Sequence, residues 1–144
     1  MKQKIHGMYE IDDDISRVNF DQLEKWLSQT YWSQSISKEE IYKGAVNSTM
    51  VVGCYLGEDQ VGYMRLISDK TRFAYIMDVY VEPNHRKKNI AQEMIRFAMN
   101  DPELKDVYQW LLVTQDAHPV YSGIGFSPLQ NSEQWMMFKK EKIR

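Results

Sequence analysis

The stretch whose reading decides the fold is FAYIMDVYVEPNHRKKNIAQE, residues 73–93. Its first nine residues, Phe73–Val81, form a nearly continuous apolar run. That is the pattern of a central strand buried on both faces. Pro83 offers no backbone N–H to a ladder and ends it. His85, Arg86, Lys87 and Lys88 follow, and then Ile90, Met94, Phe97 and Ala98 recur at helical spacing, predicting an amphipathic helix over Ile90–Met99. The first turn of a helix carries unpaired N–H groups and the positive end of the macrodipole. Strand, basic loop and helix start in this order form a phosphate site; the alternative is a solvated charged face. Asn89, at the junction, is one of the few residues besides Gly that visits the left-handed conformation.

Upstream, Thr49–Leu56 and Val61–Ser68 are apolar and β-branched runs joined by the turn Gly57-Glu58-Asp59, a hairpin. Two helices precede them. One lies near Asp21 to Ser28, with Phe20, Leu23 and Leu27 on one face and Asn19 or Asp21 as cap. The other starts at Ser37, whose spacing to Glu40 is a capping box with Ile36 and Ile41 as staple, and ends near Asn47. Tyr31 and Trp32 fall on the loop between. The first eight residues read as a frayed arm or short strand leading into Tyr9–Ile11, and Asp12, Asp13 and Asp14 as a solvated turn.

Downstream, Pro102 closes the helix region, Gln109–Val113 is a second buried strand, and the helix between makes a parallel crossover. A short helix over Ala117–Ser122 and a last strand, Trp135–Lys139, complete the chain. The expected fold is α/β, a mixed sheet with largely antiparallel N-terminal strands and a parallel β-α-β unit, flanked by helices.

At 144 residues, with 43% apolar and 26% charged side chains, the chain is expected to be one domain, 1–144, with a real core. Its net charge of −2 argues against a general nucleic-acid binder. That average hides an arrangement: residues 65–88 hold six Lys or Arg against three acids. A lone cysteine, Cys54, excludes an internal disulfide framework and a Cys-rich zinc site. No apolar run approaches a membrane span and the start lacks a signal peptide's apolar stretch, so a cytoplasmic protein with no membrane partner is expected.

Val79–Ala91 resembles motif A of the GNAT superfamily of acyl-CoA-dependent N-acetyltransferases, where an Arg/Gln-x-x-Gly-x-Gly/Ala loop follows a Val-x-Val-x-Pro strand end. Here the loop reads Arg86-Lys87-Lys88-Asn89-Ile90-Ala91, with Asn89 where the family usually has Gly. Tyr121-Ser122-Gly123-Ile124-Gly125-Phe126 is similar to the family's Tyr-x-x-x-Gly-Phe element, at the family's distance. Tyr31-Trp32, Gly62-Tyr63-Met64-Arg65 and Thr114-Gln115-Asp116-Ala117-His118 extend the likeness over nearly the whole chain.

The resemblance implies a GNAT-like fold and acetyl-CoA as co-substrate, with no metal. Backbone groups of Val79 and Val81, beside Tyr80, would pair with the pantetheine arm as an added strand does. Arg86, Lys87, Lys88, Asn89, Ile90 and Ala91 would hold the phosphates, joined by Thr114. Tyr121 matches the position that protonates the leaving sulfur, and a strand N–H near Val79 would face the oxyanion. Asp78 is the candidate base, because a carboxylate inside an apolar strand is expensive unless it is paired or sits at an opening; the alternatives are a structural Asp at a bulge, His118, Asp116 or water. Asp116 is also a candidate cap of the helix after it.

Trp32, Arg65, His118 and Tyr80 are candidate acceptor contacts, Arg65 favouring a carboxylate-bearing acceptor. Trp26, Trp110 and Trp135 are expected in the core. Cys54, inside an apolar strand, disfavours a covalent acyl-enzyme. The expected activity is direct transfer of acetyl from acetyl-CoA to a small-molecule or peptide amine, with a homodimer as the base-rate assembly. The alternatives are a non-catalytic acyl-CoA-binding sensor or scaffold, and a domain that binds another anionic nucleotide.

Overall fold

A computed structural model describes residues 2–144. Six strands form one sheet in chain order: β1 (Gln3–His6), β2 (Tyr9–Asp12), β3 (Met50–Leu56), β4 (Asp59–Ser68), β5 (Ala74–Val81) and β6 (Trp110–Leu111). Neighbours are antiparallel from β1 to β5, and β5–β6 is parallel, so the sheet is mixed as expected. The N-terminal arm is a strand hairpin, turned at Gly7 with φ 59°.

Helices α1 (Phe20–Leu27) and α2 (Lys38–Val46) carry the caps that their sequences announce. The Asn19 side chain accepts from the Gln22 N–H, and Ser37 Oγ accepts from the Glu40 N–H at 3.2 Å. Each such cap satisfies an orphan donor and is worth about 1 kcal/mol. Their apolar faces, Leu23, Leu27, Ile41 and Ala45, pack with Val51 and Tyr63. Helix α3 (Ile90–Met99) buries Ile90, Met94, Ile95, Phe97 and Ala98, and the side chains of Cys54, Ile90 and Met94 close around Gly62.

The chain divides into two compact units, a larger one ending at Val113 and a smaller one, Thr114–Arg144. The smaller holds α4 (His118–Ser122). Among the described residues no helix is long and apolar enough to cross a membrane.

Four expectations are corrected. Asp12 is not in a solvated turn: it is 2% exposed, on β2, and paired with Arg17 Nη1 at 2.8 Å. The strand Gln109–Val113 shrinks to Trp110–Leu111, so β5 is flanked on that side only at Ala74 and Tyr75 and stays half-buried from Met77 onward. Trp135–Lys139 forms no strand, because its backbone finds no ladder partner among the described residues, and Trp135 is 50% exposed rather than in the core. Asp116 does not cap α4; the turn before it is held by Thr114 Oγ1, which accepts from the Ala117 N–H at 3.0 Å.

Candidate active site

The β4–β5 ladder changes register at one place. Tyr63 faces Tyr80 and Arg65 faces Met77, so Asp78 and Val79 together oppose Met64. This is a β-bulge, and its first residue, Asp78, has φ 57°. A bulge of this kind normally takes Gly there; Asp is among the few side chains that tolerate it. Arg65 Nε donates to Asp78 Oδ2 at 2.7 Å, with side chains only 15% and 11% exposed. Arg65 is held in turn by Ser48 Oγ, 3.3 Å from Nη1. Asp78 is therefore both the bulge residue and an ion-pair partner, with Oδ1 in no hydrogen bond among the described residues.

Below the bulge the strand edge is open. The Glu82 N–H donates to Val61 O, and alternation along an antiparallel pair then points Val79 and Val81 away from β4. Because β6 stops at Leu111, no strand among the described residues covers them. Arg86 Nε donates to Val81 O at 2.9 Å, and its guanidinium lies 5.4 Å from the Tyr80 ring centroid. Tyr80 stacks on Trp26 at 4.9 Å. Both rings are thus packed against the sheet, and Arg86 folds back over the edge it follows.

The loop after β5 turns twice through the left-handed region, at Lys87 (φ 64°) and Asn89 (φ 62°, ψ 22°). Successive N–H groups around such residues converge into an anion-binding nest. Asn89 starts α3 without a side-chain cap bond. Among the described residues, none of the N–H groups of residues 87 to 91 donates to a protein acceptor. Lys87, Lys88 and Asn89 are exposed, whereas Ile90 is in the core, so only its N–H can serve the site. These features fit a pyrophosphate.

Two residues that sequence reasoning missed brace this loop. His6 Nε2 donates to Lys88 O at 2.8 Å, and Tyr9 Oη is 2.9 Å from His85 Nδ1. No periodicity marks them, since their role arises only when the N-terminal hairpin joins the sheet.

A cavity of about 420 Å³ lies beside the bulge, lined by Glu40, Lys43 and Gly44 of α2 together with Arg65 and Asp78. A Cβ on Gly44 would come 3.3 Å from Arg65 Cζ, so glycine allows the guanidinium to lie against the helix. Gly inside a helix costs about 1 kcal/mol relative to Ala, which was the available signal for this residue. The structure brings Arg65 and Asp78 together here. Trp32 is not among the lining residues; it is exposed and packs edge-on against Tyr31 at 5.0 Å.

In the smaller unit, His118 opens α4, and Tyr121 sits in it with its ring edge-on to Phe126 at 6.3 Å. Cys54 is fully buried, and burial pushes its thiol up to about 12, so it stays protonated and inert.

An open strand edge, a bulge and a nest of N–H groups at a helix start follow one another along this α/β chain. The family model for the acetyltransferase (GNAT) family matches residues 5–126, and the chain belongs to that family. A solved structure from Xanthomonas campestris pv. campestris, assigned to the GNAT family, is similar at 28% identity and TM-score 0.84, covering 92% of this chain and 93% of that one. Two more distant structures share the fold. A predicted acetyltransferase with acetyl-CoA from Clostridium acetobutylicum has 17% identity and TM-score 0.66 over 91% and 94% of the two chains. Glucosamine-6-phosphate N-acetyltransferase from Arabidopsis thaliana has 13% identity and TM-score 0.67 over 93% and 99%. No curated protein matches the sequence.

Proposed function

We propose that the chain transfers an acetyl group from acetyl-CoA to a primary amine, directly within a ternary complex. The observation that carries this is the set of unpaired N–H groups over residues 87 to 91, curled by two left-handed residues at the start of α3. Acetyl-CoA supplies an acetyl group already activated as a thioester.

The chain's residues would divide the work. Residues 87 to 91 hold the pyrophosphate through backbone N–H groups, with Lys87 and Lys88 adding charge. Arg86 leaves Val81 O as the extended arm pairs with β5. The Val79 N–H, freed by the bulge, faces the developing oxyanion. An alkylammonium with a pKa near ~10.4 must lose a proton before attack. Asp78 Oδ1 can accept it, directly or through water, while Arg65 keeps Oδ2. Tyr121 Oη returns a proton to the sulfur. General acid catalysis of this kind contributes about 10²–10⁴-fold.

Thiol release across an amine panel, with Tyr121→Phe beside the parent chain, tests the reading. We expect turnover with at least one amine and a loss of about 10²-fold or more in kcat in the variant. Full turnover by Tyr121→Phe removes the assigned acid; tight binding of ATP without acetyl-CoA removes the activity.

A further inference from the structure

We propose that the acceptor is a free aliphatic α-amino acid, held in the cavity between α2 and the β4–β5 bulge; this rests on the acetyl-transfer reading. The four charged side chains lining the cavity, Glu40, Lys43, Arg65 and Asp78, are two of each sign. A polyamine or simple alkylamine calls for an acidic wall, and a sugar phosphate for a basic one. A wall with both signs and no net charge complements a zwitterion.

The placement of the charges supports the same ligand. Arg65 spends Nε on Asp78 and Nη1 on Ser48, while Nη2 donates to nothing among the described residues. Nη2 and Lys43 can take a carboxylate. Asp78 Oδ1, beside them on the bulge, can take the ammonium. The bulge puts that ammonium next to Val79, whose N–H faces the strand edge where acetyl would lie. Ile36, Ile41 and Ile67 form the aliphatic wall. At about 420 Å³ the cavity is near the small end of ligand pockets, a single small metabolite's size. A peptide N-terminus lacks the adjacent carboxylate and would leave Arg65 Nη2 and Lys43 unused.

In the reaction the amine N–C bond forms as the C–S bond breaks. Of the ammonium's three protons the amide keeps one, the sulfur receives one to give the free thiol, and one passes through Asp78 to water.

The test compares leucine with isopentylamine, leucinamide, spermidine and a leucine-initiated tripeptide, using the full chain and thiol release. We expect kcat/KM for leucine to exceed that for isopentylamine by about 10–100-fold, the worth of charge-assisted bonds to a carboxylate. Arg65→Gln should bring that ratio close to one. Lys43→Gln, an exposed change on α2, should lower it several-fold and keeps the test open if Arg65→Gln unfolds. Equal use of leucine and isopentylamine, or a ratio unmoved in a folded Lys43→Gln chain, overturns the proposal. Thiol release with spermidine or the peptide but not leucine overturns it and leaves acetyl transfer standing. If no amine releases thiol, acetyl transfer fails, and titration calorimetry of leucine with the chain alone decides the pocket: binding weakened tenfold or more by Lys43→Gln supports it, and no binding refutes it.

Discussion

Replacing Asp78 separates its two structural roles, because different side chains remove different ones. Alanine and glycine both delete the carboxylate, so both lose the bond from Arg65 Nε and leave that guanidinium without its charge partner. The pair is 2.7 Å long and mostly shielded from water, so a charge-assisted bond of about 1.5–3 kcal/mol is at stake. They differ at the backbone. At φ 57° a Cβ crowds the following carbonyl and costs roughly 1–2 kcal/mol, a cost that glycine escapes. Glycine's extra unfolded-state entropy, about 0.5–1 kcal/mol, opposes this. Glycine therefore ends ahead of alanine by about 0.5–1 kcal/mol, the reverse of their order in a regular strand. Asparagine tolerates the left-handed region and keeps an acceptor, so it should lose about half the pair's worth. The expected stability order is parent, Asp78→Asn, Asp78→Gly, Asp78→Ala. Urea denaturation followed by tryptophan fluorescence reads it, since Trp26 stacks on Tyr80 two residues away. With a slope of ~1–3 kcal/mol per M, the glycine and alanine midpoints should differ by about 0.2–1 M. Alanine above glycine would refute a left-handed bulge; asparagine level with alanine would refute the pair as its clamp.

Three further outcomes follow from the same geometry. Replacing His6 with Phe removes the donor to Lys88 O and should weaken acetyl-CoA binding by about 2–10-fold in a calorimetric titration; unchanged affinity would mean the hairpin does not brace the loop. Asn89→Gly should preserve the melting temperature, whereas Asn89→Val, forced into the left-handed region at φ 62°, should lose at least about 1–2 kcal/mol. Acid should loosen the chain through Glu93 and Asp101. The Lys4 ammonium holds the Glu93 carboxyl below its usual value against the pull of burial, with Arg96 helping. Burial pushes the Asp101 carboxyl up, but Lys2 and the Glu103 N–H outweigh it and hold it down. Both folded values lie below the ordinary 4.5 and 3.8, so the unfolded chain binds protons first. Their stabilisation is complete above those ordinary values and is lost as pH falls through the depressed ones. Melting curves between neutral pH and pH 3 should therefore fall less steeply for Glu93→Gln than for the parent.

What could be read from the sequence follows from how far apart the deciding residues lie. Helix α3 and its entry loop were legible because Pro83, the basic run and the apolar spacing of Ile90, Met94 and Phe97 sit within fifteen residues. The Ser37 and Asn19 caps were legible for the same reason: each partner is three residues away. Asp78 stood out as an expensive carboxylate, but what it pays for could not be read. Its partner is thirteen residues back on another strand, and only the register shift between Tyr63 and Arg65 brings them together. Gly44 gains its meaning from the same guanidinium. The short β6 and the unpaired Trp135–Lys139 failed for the opposite reason, since strand propensity describes a segment and a ladder needs a neighbour. In Phe73–Val81 the two cases meet. The run is apolar enough to be recognised as a strand, yet the base we propose lies at the one residue where its pairing skips. A binding edge needs backbone groups that the sheet does not use, and a bulge beside a truncated neighbour leaves them. The residues that best resist a periodic reading are therefore those on which the proposed reaction depends.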